Sequence, residues 1–262
     1  MLCCIFKFFG SIGHWFLAML ASLGRLGQFF CHTVLSIFLP PWHGRQLLRQ
    51  LLNVGYLSLP VIGLTAIFSG MVLALQSYTG FARFNAENAI ATVVVLSMTR
   101  ELGPVLAGLM VAGRVGAAMA AELGTMRVTE QIDALVTLST KPMNYLVVPR
   151  VLAAMISLPL LVLVADIIGV MGGFLVSTYQ LNFNAGHYMH QTLNFLEIRD
   201  VTSGLIKAAV FGFIIALMGC YHGYTSKGGA AGVGGATTNA VVSASIFILL
   251  FNYVLTALLF SK

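Results

Sequence analysis

From residue 143 to residue 181 the chain is almost unbroken apolar sequence, with Arg150 and Asp166 as its only charges. A run of that length exceeds the roughly 20 residues that carry a helix across a hydrocarbon core of about 30 Å. Backbone polar groups in lipid must be satisfied within the chain, so repeated runs of this kind commit a sequence to transmembrane helices. Further runs lie at about 56–78, 89–120, 201–221 and 236–260. Composition agrees: 58% of the 262 residues are hydrophobic, 8% are charged, and the mean hydropathy is +0.92. The sequence reads as an all-α integral membrane protein.

The run 143–181 has two readings. One long tilted helix kinked at Pro149 and Pro159 gives five spans, whereas a turn near Gly172-Gly173 gives six. Basic residues favour five. With the N-terminus inside, Lys7, Arg25, Arg45, Arg49, Arg127, Lys141, Arg150 and Lys227 fall on or near the cytoplasmic side, against Arg83, Arg199 and Lys262 outside. The C-terminus is then outside. The net charge of +6 belongs to this topology and forms no basic stripe for nucleic acid.

Residues 1–39 are apolar but interrupted by Lys7 and Arg25, 17 residues apart if the charges themselves are left out. Lys7, Ser11, His14, Ala18, Ser22 and Arg25 recur every three or four positions, opposite Phe8, Phe9, Trp15, Phe16 and Leu20. That pattern predicts an amphipathic helix lying in the membrane interface. No small-x-small cleavage site follows, so the mature chain is expected to start at or near Met1. Pro40-Pro41 ends the helix, and residues 40–262 read as one polytopic domain.

The second run carries the charges that need explaining. Arg100 and Glu101 lie about a third of the way in from its outer end, where an ionisable group must be paired or face water. A structural ion pair and a polar lining for a charged headgroup are both open, with function the default. Lys207, in the fourth span, either joins them or snorkels to the interface. Gly108, Ala112, Gly116, Ala120 and Gly124 form a small-residue face, expected to admit another helix closely and to offer a dimer seam. Arg114 falls about 21 Å below Arg100 on nearly the same face, where it reaches water or a neighbouring helix end.

Beyond the run, residues 122–135 set Met126, Ile132 and Leu135 among charges, with Gly124 allowing a sharp exit from the span. Apolar residues in so exposed a place predict a short helix docked on a cytoplasmic partner. Other signals carry less. Residues 227–235 are glycine-rich and read as a flexible loop, without the G-K-[ST] of a P-loop. His187 and His190 share a helical face without a third ligand, and Cys3, Cys4, Cys31 and Cys220 have no metal or disulfide spacing. No catalytic constellation stands out, so the chain is not expected to be an enzyme.

The runs Arg100-Glu101-Leu102-Gly103-Pro104, Ala112-Gly113-Arg114-Val115-Gly116 and the stretch from Glu122 to Leu135 resemble the signature of MlaE-type permeases, the membrane subunits of MCE-associated ABC transporters. Residues 70–76, 156–161 and 254–258 extend the likeness over nearly the whole chain after the N-terminal helix. The resemblance implies a homodimeric permease of the bacterial inner membrane. It would move glycerophospholipid between that membrane and a periplasmic MCE-domain partner, helping to maintain outer-membrane lipid asymmetry. Cytoplasmic ABC ATPase subunits would bind the ATP and magnesium, often with a STAS-domain subunit.

The resemblance also implies an N-terminal elbow helix before five spans and a coupling helix at about 122–135. Glu122, Gly124, Thr125, Arg127, Glu130 and Asp133 would transmit ATP binding. Arg100, Glu101 and Lys207 would line the lipid cavity, with Leu73, Gln76, Phe81 and Phe84 as its wall. The N-terminal helix would contact the membrane anchors of the MCE partner. Two other classes stay open on the residues: a secondary transporter or channel relaying ions through Arg100, Glu101, Asp166 and Lys207, and a non-transporting scaffold.

Overall fold

The computed structural model describes residues 2–39, 43–84 and 89–260. Among the described residues there are helices and turns and no strand. The elements are α1 (Leu2–Phe38), α2 (Gly44–Val54), α3 (Leu59–Phe81), α4 (Ile90–Ser97), α5 (Gly103–Val111), α6 (Ala117–Val128), α7 (Gln131–Thr137), α8 (Val148–Tyr179), α9 (Ala185–Phe195), α10 (Ile198–Tyr224) and α11 (Gly229–Phe260). Five helical stretches are long and apolar enough to cross a membrane: Gly44–Phe81, Ile90–Val128, Met143–Tyr179, Ile198–Tyr224 and Gly229–Phe260. The protein is an all-α integral membrane protein.

Residues 143–179 form one helical path, with Gly172 and Gly173 inside α8 and not at a turn. Both glycines face neighbours where a side chain has no room: a Cβ on Gly172 would strike the Ile67 carbonyl, and one on Gly173 would meet Val94. They admit α3 and α4 to α8 and leave the helix unbroken. The glycine-rich stretch after Lys227 also differs from expectation. Only Thr225 to Gly228 turn, with Gly228 and Gly229 at φ of 90° and 69°, and α11 is helical from Gly229 onwards. Packing overrides the poor helix propensity of glycine here, since Val233 lies against Gly124 of α6.

The Ile90–Val128 path is continuous but passes through two π-helical turns, Met98–Leu102 and Ala112–Gly116. The chain leaves it at Thr129 and Glu130, where Glu130 takes a left-handed φ of 58° before α7 begins. Gly124 lies within α6, so the exit is not at Gly124. The expected 122–135 helix is therefore two pieces, the last turns of α6 and the separate α7.

The small-residue ladder packs inside the chain. Gly108 faces Phe211 and Ile248, Gly116 faces Ile215, and Gly124 faces Val233 and Ser226. It is the seam of α5 and α6 with α10 and α11, and not an interface between copies. The core follows from this seam: Val111, Met119 and Leu123 pack with Leu158, Phe211 and Ile215. Across the molecule, α3 crosses α8 where a Cβ on Gly70 would collide with the Gly169 carbonyl.

Helix α1 lies at the α7 end, with Phe29 edge-on to Tyr221 at 5.5 Å and Asn144 Nδ2 donating to the Leu39 carbonyl. On its outer face Phe16 and Leu20 are exposed, as expected of an acyl-facing surface. The side chains of Lys7, Phe8, Phe9, Ser11, His14, Trp15 and Ala18 lie outside the described ones. At the opposite end α9 is capped by Asn184, whose side chain accepts from the Gly186 and His187 amides. Its Tyr188 is buried beside Phe174, and burial raises the pKa of that phenol above its ordinary value.

Candidate functional site

Proline 104 explains the geometry around Arg100. It has no N–H to give the carbonyl four residues back, so the Arg100 carbonyl is left open where the helix also widens into a π turn. Lys207, reaching across from α10, fills the gap: its ammonium donates to that carbonyl at 2.8 Å and to Glu101 Oε1 at 2.7 Å. Lys207 is fully buried, so it joins the charged pair and does not snorkel. Glu101 also accepts from Asn252 Nδ2 and Thr256 Oγ1 of α11, each at 2.9 Å.

Arg100 is held from the other side. Its Nε donates to Asp200 Oδ1 at 2.7 Å. Asp200 is buried and its second oxygen accepts from the Glu197 amide, within a capping box that starts α10. The Arg100 guanidinium also stands 4.9 Å from the Phe260 ring centroid. Its terminal nitrogens form no hydrogen bond among the described residues, and about a third of the Arg100 and Glu101 side chains stays exposed. The cluster thus joins three helices while keeping one cationic edge open.

Sequence reasoning found Arg100, Glu101 and Lys207 and missed Asp200, Asn252 and Thr256. Asp200 lies just outside the apolar run 201–221, where a carboxylate carries no signal of its own. Asn252 is a lone amide in an apolar run, a signal of the same kind as Glu101. The expected wall residues that are described make no side-chain hydrogen bond to the cluster: Leu73 and Phe81 pack on Ile90, Val94 and Met98, while Gln76 and Phe81 border an open cleft of about 440 Å³. The Phe84 side chain lies outside the described ones. Asp166 does not join the cluster either. It is buried against Gly103, and its Oδ1 has no partner among the described residues.

At the other end of the Ile90–Val128 path the expected coupling residues divide. Glu122 pairs at 2.9 Å with Arg150, a buried residue of α8 that also donates to the Leu146 carbonyl. Gly124 is buried in the α6 seam, and the Thr125 carbonyl accepts the Thr129 amide and hydroxyl. Arg127 and Asp133 bridge the turn at 2.6 Å, with Glu130 exposed between them. Ile132 is fully buried, and Met126 and Leu135 pack on the same core. Ile132 and Leu135 thus dock α7 on its own chain, and Met126 joins them from α6. Val136 and Leu138 are exposed there instead. Arg114, from the second π turn, ends on Ser58 Oγ at 2.6 Å and the Asn53 carbonyl, tying the α2–α3 junction to the same path.

Comparison with known proteins places the chain in a family. The family described as Permease MlaE matches residues 47–258. The chain belongs to the MlaE permease family. A probable ABC transporter permease protein of Rickettsia bellii is 59% identical over 250 residues, covering 95% of this chain and 96% of that one. The intermembrane phospholipid transport system permease protein MlaE of Haemophilus influenzae is 34% identical over 257 residues, 98% of each chain. A chloroplastic protein of Arabidopsis thaliana, trigalactosyldiacylglycerol 1, is 40% identical over 228 residues, 87% of this chain and 65% of its own. In this member of the MlaE family the match begins within α2 and ends near the end of α11, so it takes in both the ion cluster and α7.

Proposed function

We propose that this chain is the permease subunit of an ATP-driven transporter that moves glycerophospholipid between the inner membrane and a periplasmic MCE-domain partner, and so helps to maintain outer-membrane lipid asymmetry. The observation that carries the reading is the single helical path from Ile90 to Val128, with the Arg100 cluster near one end and the Arg127–Asp133 turn at the other. The names of the Rickettsia and Haemophilus relatives support the class of transporter and its lipid cargo.

In this reading the open guanidinium of Arg100 takes a lipid phosphate, while Lys207, Asn252 and Thr256 hold Glu101 so that the headgroup site does not collapse. Two copies enclose the cavity. The apolar faces of α3 (Leu64, Phe68, Val72) and α11 (Ile246, Leu250, Tyr253) are exposed in one chain and supply surface for lipid and for the second copy. Leu73, Gln76, Phe81 and Phe84 complete the wall. The end of α6, with Glu122, Gly124, Thr125 and Arg127, and the Glu130 and Asp133 turn into α7 form the coupling element. A cytoplasmic ABC ATPase, with its STAS-domain subunit, grips this element, and ATP binding there reaches the cavity along one rigid helix.

The N-terminus is cytoplasmic and the C-terminus periplasmic, and α1 is the interfacial elbow helix against which the MCE anchor packs. The chain supplies the path and leaves nucleotide chemistry to its partner. Affinity purification of the tagged protein from native membranes tests the assembly. An ABC ATPase and an MCE-domain protein are expected to come with it, and isolation of the chain with neither would contradict the proposal.

A further inference from the structure

At the α7 end a cavity of about 940 Å³ opens between α1, the end of α6, α10 and α11. Neither the Arg100 cluster nor the Glu122–Arg150 pair borders it. Three cations do: Arg25 from α1, Arg127 from α6, and Lys227 from the turn before α11. Arg127 is partly spent on Asp133, and Arg25 donates to Ser22 Oγ at 2.9 Å. Lys227 forms no ion pair among the described residues. Three cations less one carboxylate leave this edge with two net positive charges.

Polar and apolar side chains share the interior. Ser226 lines the cavity, is only 7% exposed, and its hydroxyl has no hydrogen-bond partner among the described residues. A buried hydroxyl left so is a group awaiting an acceptor. Thr225 and a hydrogen-bonded His222–Ser243 pair add polar groups to the wall, while Met19, Leu23, Leu26, Met218 and Phe247 supply its apolar part, and Leu23 is exposed. The cavity therefore offers cations and a donor at one edge and acyl-compatible surface beside them, which a soluble anion would leave unused.

We propose that this cavity binds one anionic phospholipid from the leaflet that α7 faces. Its phosphate lies between Arg25, Lys227 and Arg127, the Ser226 hydroxyl donates to a phosphate oxygen, and its chains run along Met19, Leu23 and Phe247. Such a lipid fastens α1 to α6 and α10 beside the turn into α7. The site is separate from any transport cavity, and its existence does not depend on which molecule the transporter carries.

Native mass spectrometry of the full-length protein, released from mixed phosphatidylglycerol and phosphatidylcholine micelles, tests this. One phosphatidylglycerol is expected to be retained in preference to phosphatidylcholine. Each basic residue at an anionic surface contributes about fivefold, so Arg25→Gln with Lys227→Gln should weaken that retention roughly 25-fold. Arg25→Lys with Lys227→Arg keeps the charge and should keep the lipid, which separates charge loss from misfolding. A lipid held at the Arg100 end responds to neither pair. Equal retention of the two lipids by the wild type, or full retention by the Gln pair, would overturn the proposal. Displacement by inorganic phosphate at equal concentration would also overturn it, since the site would then take soluble phosphate.

Discussion

The ammonium of Lys207 stands 2.8 Å from the Arg100 carbonyl, the one that Pro104 cannot satisfy. The proline makes the vacancy and the lysine, more than a hundred residues away, fills it while also neutralising Glu101. A charge buried at lipid depth is thereby tied to backbone geometry and not to another side chain alone.

Removing Lys207 leaves both the carbonyl and a half-buried carboxylate without their partner. Lys207→Met should lower stability by about 3–5 kcal/mol, the usual consequence of breaking one side of a buried pair. Pro104→Ala restores an N–H able to reach the Arg100 carbonyl. The double variant should therefore lose less than the sum of the single losses, by about 1 kcal/mol. Thermal unfolding of the four proteins in detergent measures this. Strict additivity would mean that Pro104 and Lys207 act separately.

Helix approach is the second check. A methyl group on Gly70 meets the Gly169 carbonyl across the α3–α8 crossing, whereas Gly113 faces open space. Gly70→Ala should destabilise by about 1–3 kcal/mol through overpacking. Gly113→Ala should be neutral or slightly stabilising, since alanine favours the helix by up to about 1 kcal/mol. Equal melting temperatures for the two variants would contradict the crossing described here.

The turn into α7 allows fold and coupling to be separated. Glu130 holds a left-handed backbone, a conformation that costs a residue with a side chain about 1–2 kcal/mol and glycine little. Glu130→Gly should raise stability by up to about that amount and yet lower the stimulation of a partner ATPase, because the exposed carboxylate is lost. Unfolding and ATPase assays on the same preparation test both halves. A stabilised variant with undiminished stimulation would remove Glu130 from the coupling element.

Asp166 distinguishes a lipid permease from an ion relay. It lies against Gly103, and no hydrogen bond or ion pair joins it to Arg100, Glu101 or Lys207 among the described residues. Asp166→Asn keeps its shape and should leave lipid transfer within about twofold of wild type, with no dependence on a proton gradient, as expected for a residue outside a functional charged network. Abolished transfer, or transfer that follows the gradient, would favour the relay.

How far the sequence foretold these features depended on how local each signal was. The spans, and Arg100 and Glu101 as charges that demanded partners, were legible because hydropathy and cost at lipid depth are properties of short runs. Asp200 was not, since a carboxylate outside the apolar run acquires meaning only when Glu197 caps α10 and the helix brings it to Arg100. The ladder from Gly108 to Gly124 announced close packing but could not say against what; α10 and α11 of the same chain cover it. Glycine misled twice, at Gly124 and after Gly228, because its preference for turns is a weak local bias and helix packing prevailed. The apolar residues of 126–135 looked exposed only because the fold of α7 back onto the core was invisible.

The central claim is that lipid transfer depends on the open Arg100 edge and is driven from the far end of the same helix. Its most direct test is transfer of fluorescent phospholipid between the reconstituted permease–ATPase complex and its MCE partner, with and without ATP, for wild type and Arg100→Gln. ATP-dependent transfer by the wild type, reduced at least tenfold in the variant while ATPase association is kept, is the predicted result. Transfer that is the same in both proteins, or the same without ATP, would contradict it.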